Sequence, residues 1–223
     1  MTPDEFARAR RALMRRDPVL AAIIRKYPNR SLVDTPPAEP FLALVRAITS
    51  QQLSTKAAST ILGRVLDLMG GLAVPEALAH VSDDQLRQAG LSRQKAAYLR
   101  DLGAKVLSGE LSLQALHDMP DDAVIEAITR VKGLGRWSAE MFLMFRMRRP
   151  DVLPVDDLGI VNAITRAYGL RKRPKPDRIR RIGEPWRPYR TVACWYLWRS
   201  LENTPMTPRP ATPASTPPLR RRP

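Results

Sequence analysis

Apolar residues recur at three- and four-residue spacing through most of this 223-residue chain, and almost nothing alternates with the two-residue period of a strand. That pattern predicts an all-α fold. Residues Pro3–Tyr27 read as one or two amphipathic helices broken near Asp17-Pro18, and Asn29–Pro40, with three prolines, reads as a loop. Helices are expected from Phe41 to Thr49 and from about Ser54 to Met69, the second stopped by Gly70-Gly71. Ser82 opens a short helix ending at Gly90, Ser92 caps one to about Leu107, and Pro120-Asp121-Asp122 opens one ending near Val131. Three more follow: Arg136–Arg148, Leu158–Tyr168 and Arg187–Leu201. The tail 204–223 holds seven prolines and Arg220-Arg221-Arg222, a composition that cannot bury a core and is expected to be disordered. The folded domain is therefore placed at 1–203.

Lys and Arg number 37 against 22 Asp and Glu, a formal charge of +15. Such an excess predicts a polyanionic partner, most simply nucleic acid. A lone cysteine, Cys194, excludes an internal disulfide framework and a four-cysteine metal site. His80 and His117 lie in separate segments, which argues against a histidine-based metal centre. No apolar run reaches eighteen residues and the N-terminus is charged from Asp4, so a cytoplasmic protein, nucleoid-associated if bacterial, is expected.

The most specific local feature is Val131-Lys132-Gly133-Leu134-Gly135-Arg136-Trp137. Glycines at 133 and 135 can take up dihedrals closed to other residues, so successive N–H groups can converge on one anion. The helix that follows adds its unpaired first-turn N–H groups and positive dipole end. Leu134 would anchor the turn, while Lys132, Arg136 and Ser138 supply further donors. Some twenty residues on comes Asp156-Asp157, just ahead of a helix. By itself that pair reads first as an N-cap, a role Asp often fills, and only second as chemistry.

Ile128–Ala139 resembles the helix–hairpin–helix of DNA base-excision glycosylases, and Val155-Asp156-Asp157-Leu158-Gly159-Ile160 resembles the catalytic-aspartate segment of the same superfamily. Ile48–Ser54, Trp186–Arg190 and Trp195–Trp198 are similar to the 3-methyladenine DNA glycosylase II (alkylbase) branch, so the likeness runs from about Phe41 to Leu201. It implies two helical lobes with the active-site cleft between them and no N-terminal β domain. The implied activity is base excision repair of alkylated purines, of 3-methyladenine and 7-methylguanine type, flipped out of double-stranded DNA, by a monomer without a catalytic cofactor.

Residue by residue, the resemblance makes Asp157 the catalytic carboxylate and places Gly133 and Gly135 on one DNA phosphate, aided by Ser138. The main-chain carbonyls of Thr129, Val131 and Leu134 match positions that hold a structural monovalent cation, sodium or potassium. Trp137 and Trp198 match aromatic pocket positions. Met141 and Leu158 stand where some relatives carry tyrosines, so the pocket is expected to be less aromatic. Gln52 matches the residue that fills the minor-groove gap left by the extruded base. Trp137 occupies the position that bifunctional relatives give to lysine, which implies base removal without strand cleavage.

Between Arg171 and Arg190 there are nine Lys or Arg residues and two acids, a run suited to a DNA backbone. Three other readings stay open at this point. They are a hairpin module that binds DNA without chemistry, a glycosylase of the same superfamily for oxidised or mismatched bases, and a metal-dependent nuclease using Asp156 and Asp157.

Overall fold

The computed structural model describes residues 1–28 and 31–202, and every regular element among them is helical. The tail at 204–223 lies outside the described residues. Helices α1 (Pro3–Arg16) and α2 (Pro18–Arg25) share the junction residue Asp17, which ends the first and caps the second. Its Oδ1 accepts the amides of Val19 and Leu20 at 2.9 and 3.0 Å, and prolines begin both helices where a missing N–H costs nothing. Then come α3 (Pro40–Ser50), α4 (Thr55–Leu68), α5 (Pro75–Ala79), α6 (Asp83–Gln88), α7 (Arg93–Leu107) and α8 (Asp121–Thr129). The chain closes with α9 (Arg136–Met141), α10 (Leu158–Ala167), α11 (Pro176–Gly183) and α12 (Arg190–Glu202). Ser54, Ser82 and Ser92 each cap the helix that follows with a side-chain oxygen.

Packing divides these helices into two groups. In one, α1 and α2 lie on each other and on α12, which also covers α10. In the other, α5 and α6 pack on α7, and α8 packs on α9. Helix α3 touches α4, α7 and the turn that follows α9. Fully buried side chains occupy both groups, Leu13, Leu20, Ile24 and Tyr196 in the first, Leu78, Leu86, Leu99 and Leu102 in the second. Burying one such leucine contributes roughly 1.5–3 kcal/mol.

Asp17 also fastens the first group internally. Its Oδ2 accepts the indole N–H of Trp186 at 2.8 Å and the hydroxyl of Tyr168, whose pKa is pushed far up by burial and by that carboxylate. Trp186 is therefore a clamp inside the core, fully buried.

Three elements depart from the sequence expectation, the first being α5 (Pro75–Ala79), a five-residue helix where none was expected. The helix expected over Arg136–Arg148 is α-helical only to Met141 and then widens into a π turn, Phe142–Arg146, with the Met147 amide reaching back to the Phe142 carbonyl at 3.0 Å. Helix α11 was hidden in the basic run, because only Ile179, Ile182 and Gly183 of its residues turn inward. Among the described residues, no helix is long and apolar enough to cross a membrane.

Candidate active site

The loop from Arg149 to Asp157 is strapped to the start of α12. Arg190 grips Asp151 in a two-pronged ion pair, Nε to Oδ1 at 2.7 Å and a terminal nitrogen to Oδ2 at 3.0 Å. Thr191 donates to the Arg149 carbonyl and accepts the Val152 amide. The strap delivers Asp157 to the N-terminus of α10, where its Oδ1 accepts the Ile160 amide at 2.8 Å. An N-cap is thus one of its roles.

It is not the only one. Asp157 Oδ2 accepts the indole N–H of Trp137 at 2.7 Å, and Oδ1 also accepts that of Trp198 at 2.9 Å. Three donors from three segments hold both carboxylate oxygens, more than a cap needs. Gly159 makes this possible: a Cβ there would lie 2.8 Å from the Trp198 ring and 3.0 Å from Asp157 Oδ1. Asp157 is half-buried, whereas Asp156 is exposed.

Trp137 joins the carboxylate to a cavity of about 490 Å³, a volume typical of small-molecule sites. Its wall comes from α3, the proline loop, α9 with its π turn, and α12; Trp137, Met141, Phe145 and Trp195 are among its side chains. Trp198 does not line the cavity; it stacks on Phe145 at 5.7 Å and serves Asp157 instead. Leu158, expected in the pocket, is two-thirds exposed and lies outside that wall, because a helix N-terminus turned towards solvent carries it outwards. Phe145 and Trp195 were missed by the sequence reading, since the π turn that aims Phe145 leaves no local signal.

Glu140, on α9, is a buried carboxylate paired with Arg136 Nε at 3.1 Å. Burial raises its pKa; Arg136 opposes that shift, and the negative charges of Asp156 and Asp157 add to it.

In the hairpin between α8 and α9 only one of the two glycines takes the special conformation expected: Gly135, at φ −102° and ψ 179°, is extended backbone open to any residue. Gly133 sits at φ +80°, and a Cβ there would fall 2.0 Å from the Tyr98 ring, so only glycine fits. Leu134 and Val131 are buried and pin the turn, while Gly133, Gly135, Lys132 and Arg136 are exposed. Among the described residues, no side chain caps the start of α9. The Lys132 amide is already committed to Asp101 Oδ2 at 2.8 Å. Ser138, expected as an exposed donor, is buried and lines the cavity, because the first turn of α9 rotates it inward.

The turn between α3 and α4 docks on this hairpin through Gln51, whose Nε2 donates to the Gly133 carbonyl at 2.7 Å. Lys95 supports it from below, donating to the carbonyls of Thr49 and Gln51 at 2.8 and 2.6 Å, and burial lowers its pKa. Gln52 follows at φ +57°, exposed beside exposed Leu53. A non-glycine held in the left-handed region marks a constrained, outward-aimed tip.

The family model of the HhH-GPD superfamily base excision DNA repair proteins matches residues 45–188, most of the chain, including the hairpin and Asp157. The chain belongs to that superfamily. Among HhH-GPD proteins it is 34% identical to DNA-3-methyladenine glycosylase 1 of Schizosaccharomyces pombe, over 81% of this chain and 80% of that one. A crystal structure of DNA-3-methyladenine glycosidase from Bacillus halodurans superposes with a TM-score of 0.76 at 39% identity, covering 91% and 90% of the two chains. The 3-methyladenine DNA glycosylase of Schizosaccharomyces pombe, solved with abasic DNA, superposes at 0.78 with 31% identity, covering 87% and 96%. The all-α architecture is that of the superfamily.

Proposed function

We propose that this HhH-GPD protein is a monofunctional DNA glycosylase that hydrolyses the N-glycosidic bond of alkylated purines in duplex DNA, leaving an abasic site. The observation that carries this reading is Asp157, whose two oxygens are held by two indoles and one amide beside a base-sized cavity. The names of its relatives, DNA-3-methyladenine glycosylases of yeast and bacterial origin, support the lesion class.

The chemistry follows from that placement. As the bond from C1′ to the base nitrogen breaks, its electron pair leaves with the base and the deoxyribose takes on oxocarbenium character. A fixed carboxylate beneath the sugar stabilises that charge and orients the water whose oxygen bonds to C1′. A purine methylated at N3 or N7 is already cationic in DNA and needs no strong acid to depart. The indole of Trp137 offers a face for the everted base, recovering on the order of 1–3 kcal/mol of the unstacking cost. With tryptophan at 137 no lysine stands where an imine to the sugar would form.

Outside the cavity, the exposed amides of the Gly133–Gly135 turn suit one phosphate, and Gln52 with Leu53 is placed to enter the vacated stack. The carbonyls of Thr129, Val131 and Leu134 fit a monovalent cation, being uncharged oxygens of a single turn. That of Val131 also accepts the Leu134 amide at 3.1 Å and keeps a second lone pair. The ion would stiffen the turn for its phosphate.

Abasic-site formation on methylated duplex DNA tests the proposal. Product from the wild type and little from Asp157→Asn is expected. Equal product from both removes Asp157 from the mechanism, and none from the wild type on any lesion favours a binding module. Borohydride should trap no covalent adduct; an adduct would reveal a lysine nucleophile.

A further inference from the structure

One half-buried guanidinium of the cavity wall has no hydrogen-bond or ion-pair partner among the described residues. It belongs to Arg146, at the end of the π turn; its Nε is sealed from solvent without a partner, so its terminal nitrogens are the donors that can meet a ligand in the cavity. The other guanidiniums of the wall are provided for. Arg148 donates to the carbonyls of Leu32 and Thr35, Arg199 pairs with Glu202 and lies 5.0 Å over the Trp195 ring, and Arg46 is exposed to water. Among the described residues, no carboxylate lines the cavity. A buried charged donor left unpaired is costly, and proteins keep such groups where a ligand or water completes them.

Arg146 is also well aimed. Positions 137, 141 and 145 step along one wall in fours, and each step drifts by about 40° on an α-helix. The wider π turn takes back part of that drift and keeps 145 and 146 on the cavity side. Nine residues of helix separate Trp137 from Arg146, about 13 Å at most. A purine held by its sugar near Asp157 and resting against Trp137 directs its opposite edge, the one bearing the position-6 substituent, down the cavity. Arginine only donates hydrogen bonds. An exocyclic oxygen at position 6 accepts from it, whereas an exocyclic amino group presents hydrogens against hydrogens.

We propose that Arg146 is a specificity-determining residue that donates to the exocyclic oxygen of an everted 6-oxopurine, favouring alkylated guanine-type over alkylated adenine-type bases. This rests on the glycosylase reading above. The test compares 3-methylguanine with 3-methyladenine in otherwise identical duplexes, two lesions that share the N3 methyl group and its positive charge. Single-turnover excision rates are measured for the wild type, Arg146→Met and Arg146→Lys. The ratio of guanine-type to adenine-type excision is expected to fall at least about tenfold in the methionine variant. The lysine variant, which keeps the charge but loses the planar fork, should fall between. Release of 3-methyladenine by the same preparations shows that they are folded. If the methionine variant is inactive on both, the lysine variant's ratio decides. Release of both bases with an unchanged ratio in the variants overturns this inference alone. Release of neither base by the wild type overturns the glycosylase reading and this inference with it.

Discussion

At the scale of the residue, Asp157 separates two roles that one side chain performs together. Asparagine caps helices about as well as aspartate, so Asp157→Asn should lower Tm by only a few degrees, the cost of the one donor it leaves unmatched. The same change removes the charge and leaves one of the three donors facing an amide N–H, and excision should fall by about 10²–10⁴-fold. Melting and single-turnover excision on one preparation check both halves; a variant that keeps its activity would make the residue a cap and nothing more. Glu140 offers a pH test. Because burial raises its pKa, the folded protein holds that proton more tightly than the unfolded chain. Its contribution to stability is complete below the ordinary carboxylate range and is lost as pH rises through the folded value. Glu140→Gln carries no such dependence, so its Tm relative to wild type should improve steadily from pH 4 to pH 7. A constant difference across that range would show that the Arg136 pair cancels the burial cost.

At the scale of the element, the hairpin and the turn docked on it predict contrasting glycine variants. A Cβ at Gly133 meets Tyr98 in a backbone conformation that alanine resists, whereas a Cβ at Gly135 meets no atom within 4 Å. Gly133→Ala should lower Tm by roughly 5–10 °C. Gly135→Ala should leave melting unchanged yet weaken binding to DNA, since it crowds the amide and not the core. Equal melting of the two variants, measured by calorimetry, would contradict the contact with Tyr98. The contact with Tyr98 that makes Gly133 obligatory was not legible in the sequence, and Gly135 is in extended backbone that does not require glycine. The turn itself was legible, because the glycine spacing is local. Asp157 was legible for the same reason, standing one residue ahead of an apolar helix. What escaped was non-local: the two indoles that converge on it come from positions 137 and 198, and Gln51 reaches 82 residues along the chain. The π turn escaped too, since Phe142, Leu143 and Met144 read as an ordinary buried helix. Helix α11 did so because its arginines outnumber its inward-facing residues.

At the scale of the whole molecule, the excess positive charge is unevenly committed. Within the basic run, Arg180 pairs with Asp177, Arg187 with Asp151 and Glu184, and Arg190 with Asp151. Arg178 and Arg181 are exposed on α11 without an ion pair among the described residues. If DNA tracks this face, replacing both with alanine should make the slope of log affinity against log salt shallower by roughly one to two. An unchanged slope would move the DNA path elsewhere. Asp17 has a consequence of a different kind. It ties the opening helices to Tyr168 and Trp186, and α12 packs on α1, α2 and α10. The group that presents Asp157 cannot therefore assemble until α12 has left the ribosome, while the group from α5 to α9 has all its parts some sixty residues earlier. Synthesis thus finishes the grip's support before the chemistry, and a nascent chain has no competent centre until α12 has emerged.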